Sequence, residues 1–333
     1  MRPTIVLRFA LDEPYLTTLR GTFPAVDFPI CTTAAELAAV IGAADALIGG
    51  GALDTILLAA APRLRWVQLP VAGVDGVDTA PLVAHGIAVT TFSGVTAPNI
   101  AEHVLMLMFA FARNLRLLLR QQERHIWRDG DAASDPRLRG ASRTLFPPVF
   151  ELEGQTLGVV GLGAIGDALA RKAHGVGMRV IATRRHPGPL PAHLDRLIPT
   201  AELPTLLAEA DHVALCLPLT AETRGLIGAR ELAQMRPSAY LYNTGRGALV
   251  DQEALIAALQ AGTIAGAGLD VTTPEPLPAD SPLWDLPNVL MTAHTSGATP
   301  QHWERGLALI IENVRRFLND APLRNQFDPA TGY

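Results

Sequence analysis

The chain has few cysteines and little net charge for its 333 residues. Its two cysteines, Cys31 and Cys216, lie far apart and lack the spacing of metal ligands. We therefore expect no disulfide framework, no metal site and a reducing, cytoplasmic location. The net charge of −5 argues against a surface that binds nucleic acid or an anionic membrane, so neither class of partner is expected.

Long hydrophobic runs are absent as well. The most apolar window, residues 104–119, is interrupted by Arg113 and Arg116, which favours a buried or interface helix over a membrane span. The first 14 residues are too polar for a signal peptide and have the composition of a strand. With 49% hydrophobic residues the chain can fill sizeable cores, and its length suggests about two domains.

Glycine, in contrast, is abundant, and one arrangement of it is informative. Residues 156–185 read TLGVVGLGAIGDALARKAHGVGMRVIATRR. A strand-like run leads into Gly161, Gly163 and Gly166, spaced G-x-G-x-x-G, before an Ala-rich helical segment and a second strand-like run. In a dinucleotide-binding turn such glycines allow a tight turn, close approach of a pyrophosphate and close helix–strand packing. A chance triplet among 29 glycines is the alternative, but the flanking strands favour cofactor binding.

The rest of the chain alternates strand-like and helix-like segments. Strands are predicted at residues 5–9, 46–48, 66–69 and 87–89, and again at 156–160, 178–182, 212–217, 239–243, 264–271 and 288–293. Helices are predicted at residues 33–41, 164–174, 202–210, 228–235, 251–261 and 300–318, with one long or two broken helices over 97–126. This alternation predicts an α/β protein with two Rossmann-like or flavodoxin-like lobes, each built on a parallel sheet.

We expect the two lobes to be interleaved in sequence, with hinges near Pro98 and Gly297. Residues 1–98 with 298–333 would form a substrate-binding domain, and residues 99–297 a dinucleotide-binding domain. Residues 101–150 join an apolar helical stretch to a long polar, proline-containing segment, which suits a dimerisation helix and arm. A buried helix followed by a surface loop is the alternative.

Three residues whose side chains can bind a carboxylate or transfer a proton follow predicted strands of the second lobe: Arg246, Glu275 and His294. In a parallel sheet their loops open on the same edge as the glycine turn. An arginine can bind a carboxylate and polarise a carbonyl, and a histidine beside a carboxylate can donate a proton near neutral pH. Each residue alone could be an ordinary surface or loop residue, but their joint placement favours hydride transfer to a keto acid.

A loop of the first lobe is a candidate for substrate binding. Residues 70–76, PVAGVDG, follow the strand predicted to end at Leu69. Because ligands bind beyond the carboxyl ends of strands in such sheets, loop N–H groups here could hold a substrate carboxylate. An ordinary turn explains the residues equally well.

Together these motifs resemble the D-isomer-specific 2-hydroxyacid dehydrogenase family, over residues 65–318. The matching segments are AGVD at 72–75, AEHVLMLM at 101–108, GLGAIG at 161–166, CLPLTAET at 216–223, NTGRGALVD at 243–251, LDV and EP within 269–276, and AHTSGAT at 293–299. The resemblance implies an oxidoreductase with its active site in a cleft between two lobes, and we expect a homodimer. Within the family the chain is most similar to NADPH-dependent glyoxylate/hydroxypyruvate reductases.

The resemblance also implies roles for individual residues. His294 would be the general acid/base, Glu275 the carboxylate that orients it, and Arg246 the anchor for the substrate carboxylate and carbonyl. The backbone of Val71, Ala72 and Gly73 would bind the substrate carboxylate. Cofactor contacts would come from Gly161, Gly163, Ala164, Ile165, Gly166, Leu217, Thr244 and Asp270.

The chain departs from the family pattern where NAD-specific members carry an acidic residue after the second strand. Here Arg184 and Arg185 occupy that position, where a ribose 2′-phosphate would lie, so we predict a preference for NADPH, with NADH possible. A solvated basic turn that tolerates either cofactor is the alternative. Thr272, where an aromatic residue is usual, is a second departure from which nothing functional follows.

The predicted reaction is hydride transfer from NADPH to a small 2-keto acid of the glyoxylate/hydroxypyruvate type, which yields a D-2-hydroxy acid. Two alternatives stay open on the sequence. One is an NAD-dependent dehydrogenase of the phosphoglycerate or D-lactate type. The other is a non-catalytic scaffold that senses a dinucleotide, against which the presence of Arg246, Glu275 and His294 argues.

Overall fold

A computed structural model describes residues 2–51, 53–126, 149–186 and 188–333. The chain forms two compact units, one made of Met1–Thr96 and Ala298–Tyr333 and the other of Ala97–Gly297. Residues 127–148, which include most of the predicted dimerisation arm, lie outside the described residues.

The helices and strands follow one another in a regular βα order. The strands are β1 (Ile5–Leu7), β2 (Ala46–Ile48), β3 (Trp66–Gln68), β4 (Ala88–Thr90), β5 (Thr156–Val160), β6 (Arg179–Arg184), β7 (Arg196–Pro199), β8 (His212–Leu215), β9 (Tyr240–Asn243), β10 (Gly266–Leu269) and β11 (Val289–Met291). The α-helices are α1 (Glu13–Thr22), α2 (Ala34–Val40), α3 (Thr55–Ala59), α4 (Ala80–Ala84), α5 (Ala97–Ala112), α6 (Leu115–Glu123), α7 (Ala164–Gly175), α8 (Leu203–Glu209), α9 (Ala229–Leu232), α10 (Gln252–Ala261) and α11 (His302–Leu318).

The first unit is built on a parallel sheet with strand order β1-β2-β3-β4. Its two faces bury alternate residues of each strand: Ile5 and Leu7 pack on one face with α11, and Val6 packs on the other with α2. Beyond β1, residues 27 and 30 form isolated parallel bridges with Thr4 and Leu7. Thr33 caps α2 through a capping box with Glu36, as expected from a Thr at a helix start.

The second unit is built on a seven-stranded parallel sheet with order β11-β10-β9-β8-β5-β6-β7. Apolar clusters cover both of its faces, as in doubly wound α/β proteins. The predicted α/β class with parallel sheets is therefore confirmed.

Several predicted elements differ from those observed. Strand β7 was not predicted, because it is a short edge strand that begins with Arg196, ends with Pro199 and fully buries only Ile198. Helices α1, α3 and α4 were also not predicted; α3 and α4 span only five residues each, too few to show a clear 3.6-residue period.

The apolar stretch after residue 97 forms two helices. Asn114, with a φ of 51°, adopts the left-handed conformation between α5 and α6 and ends the first helix. Helix α5 buries Val104 and Met108 in the core of the second unit. Among the residues that the structure describes, no helix combines the length and apolarity needed to cross a membrane.

Candidate active site

The glycine turn joins β5 to α7 with the geometry that a dinucleotide requires. Gly161 has a φ of +99°, and a Cβ added to Gly166 would collide with the carbonyl oxygen of Gly161. A Cβ at Gly163 would meet no atom of the described residues within 4 Å, so contacts among those residues do not explain this glycine. Gly163 is also the N-cap residue of α7 and makes no side-chain cap, which suits the approach of a pyrophosphate to the helix N-terminus.

The end of β6 lies against this turn. Thr183 is fully buried, and its hydroxyl accepts a hydrogen bond of 3.1 Å from the Gly161 N–H. Arg184 and Arg185 follow it and are exposed, and Nη2 of Arg185 lies 2.7 Å from Oε2 of Glu222. The two arginines could be identified from the sequence, but Thr183 and Glu222 could not, because both act through contacts with distant parts of the chain.

Leu217 and Thr244 lie after β8 and β9, which follow β5 in the sheet. The Leu217 side chain packs against the Cα of Gly161, and the Leu217 carbonyl lies close to Gly245. Thr244 is 7% exposed. The predicted cofactor residues on these two strands thus border the glycine turn at one edge of the sheet.

The loop that carries Arg246 is held by Asn243, which is buried at the end of β9. The Asn243 amide donates to the Arg246 carbonyl at 2.8 Å, and its Oδ1 accepts from the Gly245 N–H at 3.1 Å. A Cβ added to Gly247 would overlap the backbone of Thr272. Only glycine therefore lets the Arg246 loop pack directly on the loop that leads to Glu275.

Glu275 and His294 form a hydrogen bond, with 2.9 Å between His294 Nδ1 and Glu275 Oε2. Because a carboxylate only accepts hydrogen bonds, Nδ1 carries the proton here, and Nε2 is the nitrogen left for a substrate. The second oxygen of Glu275 accepts from the Thr272 N–H at 3.0 Å. Both side chains are partly exposed, His294 at 51% and Glu275 at 38%, so a ligand can reach them.

The buried carboxylate of Asp270 holds the loop that carries His294. Asp270 is 1% exposed, and its carboxylate accepts from the Thr292 hydroxyl at 2.6 Å and from the N–H groups of Thr295 and Ser296 at 2.9 and 3.0 Å. Burial raises the pKa of Asp270, but the hydrogen bonds from Ser296, Thr292 and Thr295 outweigh it and hold that pKa below its usual value. The carbonyl of Asp270 accepts the His294 N–H at 2.8 Å, while His294 keeps a φ of 52°.

Helix α5 supports the same loop with two residues that were not predicted from the sequence. Asn99 donates to the Ser296 carbonyl at 2.7 Å. Nε2 of His103 lies 2.9 Å from the Thr292 hydroxyl, and burial lowers the pKa of His103. Because Thr292 donates to Asp270, it accepts from His103. The only sequence signal was that both residues lie in or beside the AEHVLMLM segment.

The structure therefore brings Arg246, Glu275 and His294 onto neighbouring loops of one unit. The Val71–Gly73 loop belongs to the other unit, where it follows β3. Val71 and Ala72 are exposed, and the Val71 carbonyl accepts the Phe92 N–H at 2.8 Å, which ties the loop to the end of β4. The described residues contain no cluster of three or more side chains that could hold a metal ion.

Comparison with known proteins identifies the family. Residues 105–296 match the NAD-binding domain of the D-isomer-specific 2-hydroxyacid dehydrogenases. The chain is 36% identical to glyoxylate/hydroxypyruvate reductase B of Pectobacterium atrosepticum over 340 residues, which cover 99% of each chain. A solved D-isomer-specific 2-hydroxyacid dehydrogenase from Xanthobacter autotrophicus Py2, in complex with NADPH and MES, is 31% identical with a TM-score of 0.79 and full coverage of both chains.

A second solved relative is an NADPH-dependent glyoxylate/hydroxypyruvate reductase from Sinorhizobium meliloti in complex with NADP and sulfate. It is 26% identical, with a TM-score of 0.78 and 100% of each chain covered. The chain belongs to the D-isomer-specific 2-hydroxyacid dehydrogenase family. It is an oxidoreductase that uses NAD or NADP on small 2-keto or 2-hydroxy acids, which confirms the predicted class of enzyme.

Proposed function

We propose that this protein is an NADPH-dependent reductase of small 2-keto acids such as glyoxylate and hydroxypyruvate. The observation that carries the proposal is the His294–Glu275 pair, held at 2.9 Å on a loop anchored by buried Asp270. Relatives named as glyoxylate/hydroxypyruvate reductases over nearly the whole chain support the choice of substrate.

The reaction converts a 2-keto acid, NADPH and a proton into a D-2-hydroxy acid and NADP. When bound, the cofactor supplies the hydride to the carbonyl carbon. His294 donates a proton from Nε2 to the carbonyl oxygen, and Glu275 stabilises the charged imidazole through Nδ1. Arg246 binds the substrate carboxylate and polarises the carbonyl, so positive charge faces the oxygen where negative charge develops.

The cofactor would be held by groups of the second unit. The glycine turn with Ala164 and Ile165 would offer N–H groups to the pyrophosphate, and Leu217, Thr244 and Asp270 would lie on the ribose or nicotinamide side. Arg184 and Arg185 would bind a 2′-phosphate, because both residues are exposed after β6 where an acidic residue would select NAD.

The substrate carboxylate would also be held by the backbone of Val71, Ala72 and Gly73. This loop is exposed and tied to Phe92, as a binding loop on a fixed scaffold would be. A steady-state panel tests the whole proposal: glyoxylate, hydroxypyruvate, pyruvate and phenylpyruvate, each with NADPH and with NADH. We expect kcat/KM to be highest for the two small polar keto acids with NADPH.

Two results of that panel would contradict parts of the proposal. A kcat/KM with NADH equal to or above that with NADPH would refute the cofactor preference and favour an NAD-dependent dehydrogenase. Cofactor binding without oxidation of either cofactor by any keto acid would refute the enzymatic role and favour a dinucleotide-sensing scaffold.

We also propose that the protein is a cytoplasmic homodimer. Large apolar side chains are exposed on α5 and α6: Met106, Phe109, Leu115, Leu118 and Leu119, each at least 42% exposed. Such a patch suits burial against a second copy. Light scattering after gel filtration tests it, and we expect a dimer that F109D/L118D converts to monomer, while I56D, at an exposed position of the first unit, leaves it dimeric.

A further inference from the structure

We propose that Arg8 binds a second anionic group at the far end of the substrate, so that 2-keto acids with a distal carboxylate are preferred to neutral ones of equal length. This inference rests on the proposed function, because it takes the Val71–Gly73 loop as the site of the first carboxylate. Both groups lie in the first unit of the chain.

Arg8 and the Val71–Gly73 loop both lie at the carboxyl ends of the strands of the first sheet. Arg8 directly follows β1, and its N–H donates to the Ile48 carbonyl at 2.8 Å. The Gly49 N–H donates in turn to the Gln68 carbonyl at 2.9 Å. The parallel strands β1, β2 and β3 therefore end side by side, and the groups that follow them share the edge where ligands bind in this class of fold.

The Arg8 side chain lies across the glycine-rich turn that follows β2. A Cβ added to Gly49 would be 2.6 Å from the Arg8 Cβ, and one added to Gly51 would be 2.8–2.9 Å from the guanidinium carbon and its terminal nitrogens. Both glycines have positive φ, +146° and +105°. The turn thus makes room for the arginine: a side chain at Gly51 would push the guanidinium aside, and one at Gly49 would collide with the Cβ and backbone of Arg8.

The course of the Arg8 side chain over the turn after β2 bears on the length of substrate that could reach both anion sites. Adjacent strands lie about 4.8 Å apart, so the Cα positions after β1 and β3 are separated by about 10 Å. The guanidinium lies on the turn after β2, and β2 is the neighbour of β3 in the sheet, at a strand spacing of about 4.8 Å. An extended substrate of about five carbons, with bonds of about 1.5 Å, spans such a gap between its two carboxylates.

The guanidinium of Arg8 is chemically suited to bind a second carboxylate. Arginine is permanently charged, and its planar fork matches a carboxylate better than it matches a hydroxyl or methyl group. The next residue, Phe9, stacks on Trp303 at the start of α11, with ring centroids 5.0 Å apart. That contact holds the end of β1 in place and gives Arg8 a fixed base.

Matched substrates test the inference. 2-Oxoglutarate and 2-oxopentanoate have the same five-carbon chain, but only the first has a distal carboxylate. We expect the native enzyme to reduce 2-oxoglutarate with a kcat/KM at least about tenfold higher, as a charge-assisted hydrogen bond provides. In Arg8→Gln this ratio should approach one, with the loss expressed mainly in KM.

Arg65→Gln is the matched control. Arg65 precedes β3 and therefore lies at the amino ends of the strands, opposite to Arg8, and its side chain is 59% exposed. This variant should keep the native substrate ratio. The inference is overturned if the native enzyme shows no preference for the distal carboxylate, or if Arg8→Gln retains the preference. Arg8→Lys should keep part of it.

A binding measurement separates this inference from the proposed function. Calorimetry of D-2-hydroxyglutarate and D-2-hydroxypentanoate in the presence of NADP needs no turnover. If the enzyme reduces no keto acid, the proposed function fails, and the binding ratio of the two hydroxy acids in native and Arg8→Gln protein still decides on Arg8. If glyoxylate is reduced but both ratios equal one, only the Arg8 inference fails.

Discussion

The loops that carry Arg246, Glu275 and His294 differ in construction from the end of β6 that carries Arg184 and Arg185, although both belong to one sheet. The first are anchored by buried groups: Asp270 at 1% exposure accepts three hydrogen bonds from the His294 loop. The arginines are exposed, and Arg185 is paired with Glu222, itself 76% exposed.

This difference indicates what each region can do. A group held from several sides in a buried network keeps one position, which proton transfer requires, because small displacements are costly in rate. An exposed cation is screened by water and salt, so it contributes less binding free energy than a buried one. That smaller contribution is enough to discriminate between NADPH and NADH. We therefore expect large effects from the anchored loops and modest, salt-dependent effects from the arginines.

The largest effect should come from His294→Ala. Loss of the general acid should lower kcat by about 10²–10⁴-fold, while NADPH affinity, measured by cofactor fluorescence, stays near native. His85→Ala, at an exposed position after α4, should keep native kcat. A near-normal kcat in His294→Ala would refute the assignment.

Buried groups should also dominate the pH dependence of stability. His212 is fully buried, contacts Gln155 and Tyr242, and burial lowers its pKa to about 4. The unfolded chain binds a proton there near pH 6.5, so the folded state loses stability as pH falls from 6.5 to 4, by up to about 3 kcal/mol. Urea unfolding should show a smaller loss over that range in His212→Gln, and an equal loss would contradict the prediction.

Gly247→Ala tests whether close packing of the anchored loops matters for rate. The added Cβ overlaps the Thr272 backbone and must displace the loop that bears Arg246 or the one that bears Glu275. We expect kcat to fall by about 10²-fold, as for a displacement of about 1 Å. Gly175→Ala, where a Cβ meets no described atom within 4 Å, should leave kcat unchanged, and a native kcat in Gly247→Ala would show that these loops tolerate movement.

The smallest effect should come from the exposed arginines. Arg184→Ser and Arg185→Ser should each lower kcat/KM for NADPH by about tenfold or less, with little change for NADH. The native preference for NADPH should also shrink as salt rises from about 0.05 to 0.5 M, because exposed charges are screened. Arg230→Ser, at a 78% exposed position on α9, is the control, and a salt-independent preference would place discrimination elsewhere.

The glycine turn and the parallel strands could be predicted because their signals are local. Gly161 and Gly166 are required within a span of six residues, and strand-like runs flank them. The placement of Arg246, Glu275 and His294 after strands followed from the same βα alternation. Their catalytic roles, like those of the cofactor residues and of the Val71–Gly73 loop, stay predictions until the variants are measured.

What the sequence by itself determined is the α/β class, the family and the residues that could react, because turns, caps and strand composition act over a few neighbouring residues. Only the tertiary structure decided how the reactive loops are held. Asn99 meets the Ser296 carbonyl across 197 positions, and Asp270 meets Ser296 across 26. Such contacts depend on how helices and strands pack, so they cannot be predicted from a local sequence pattern.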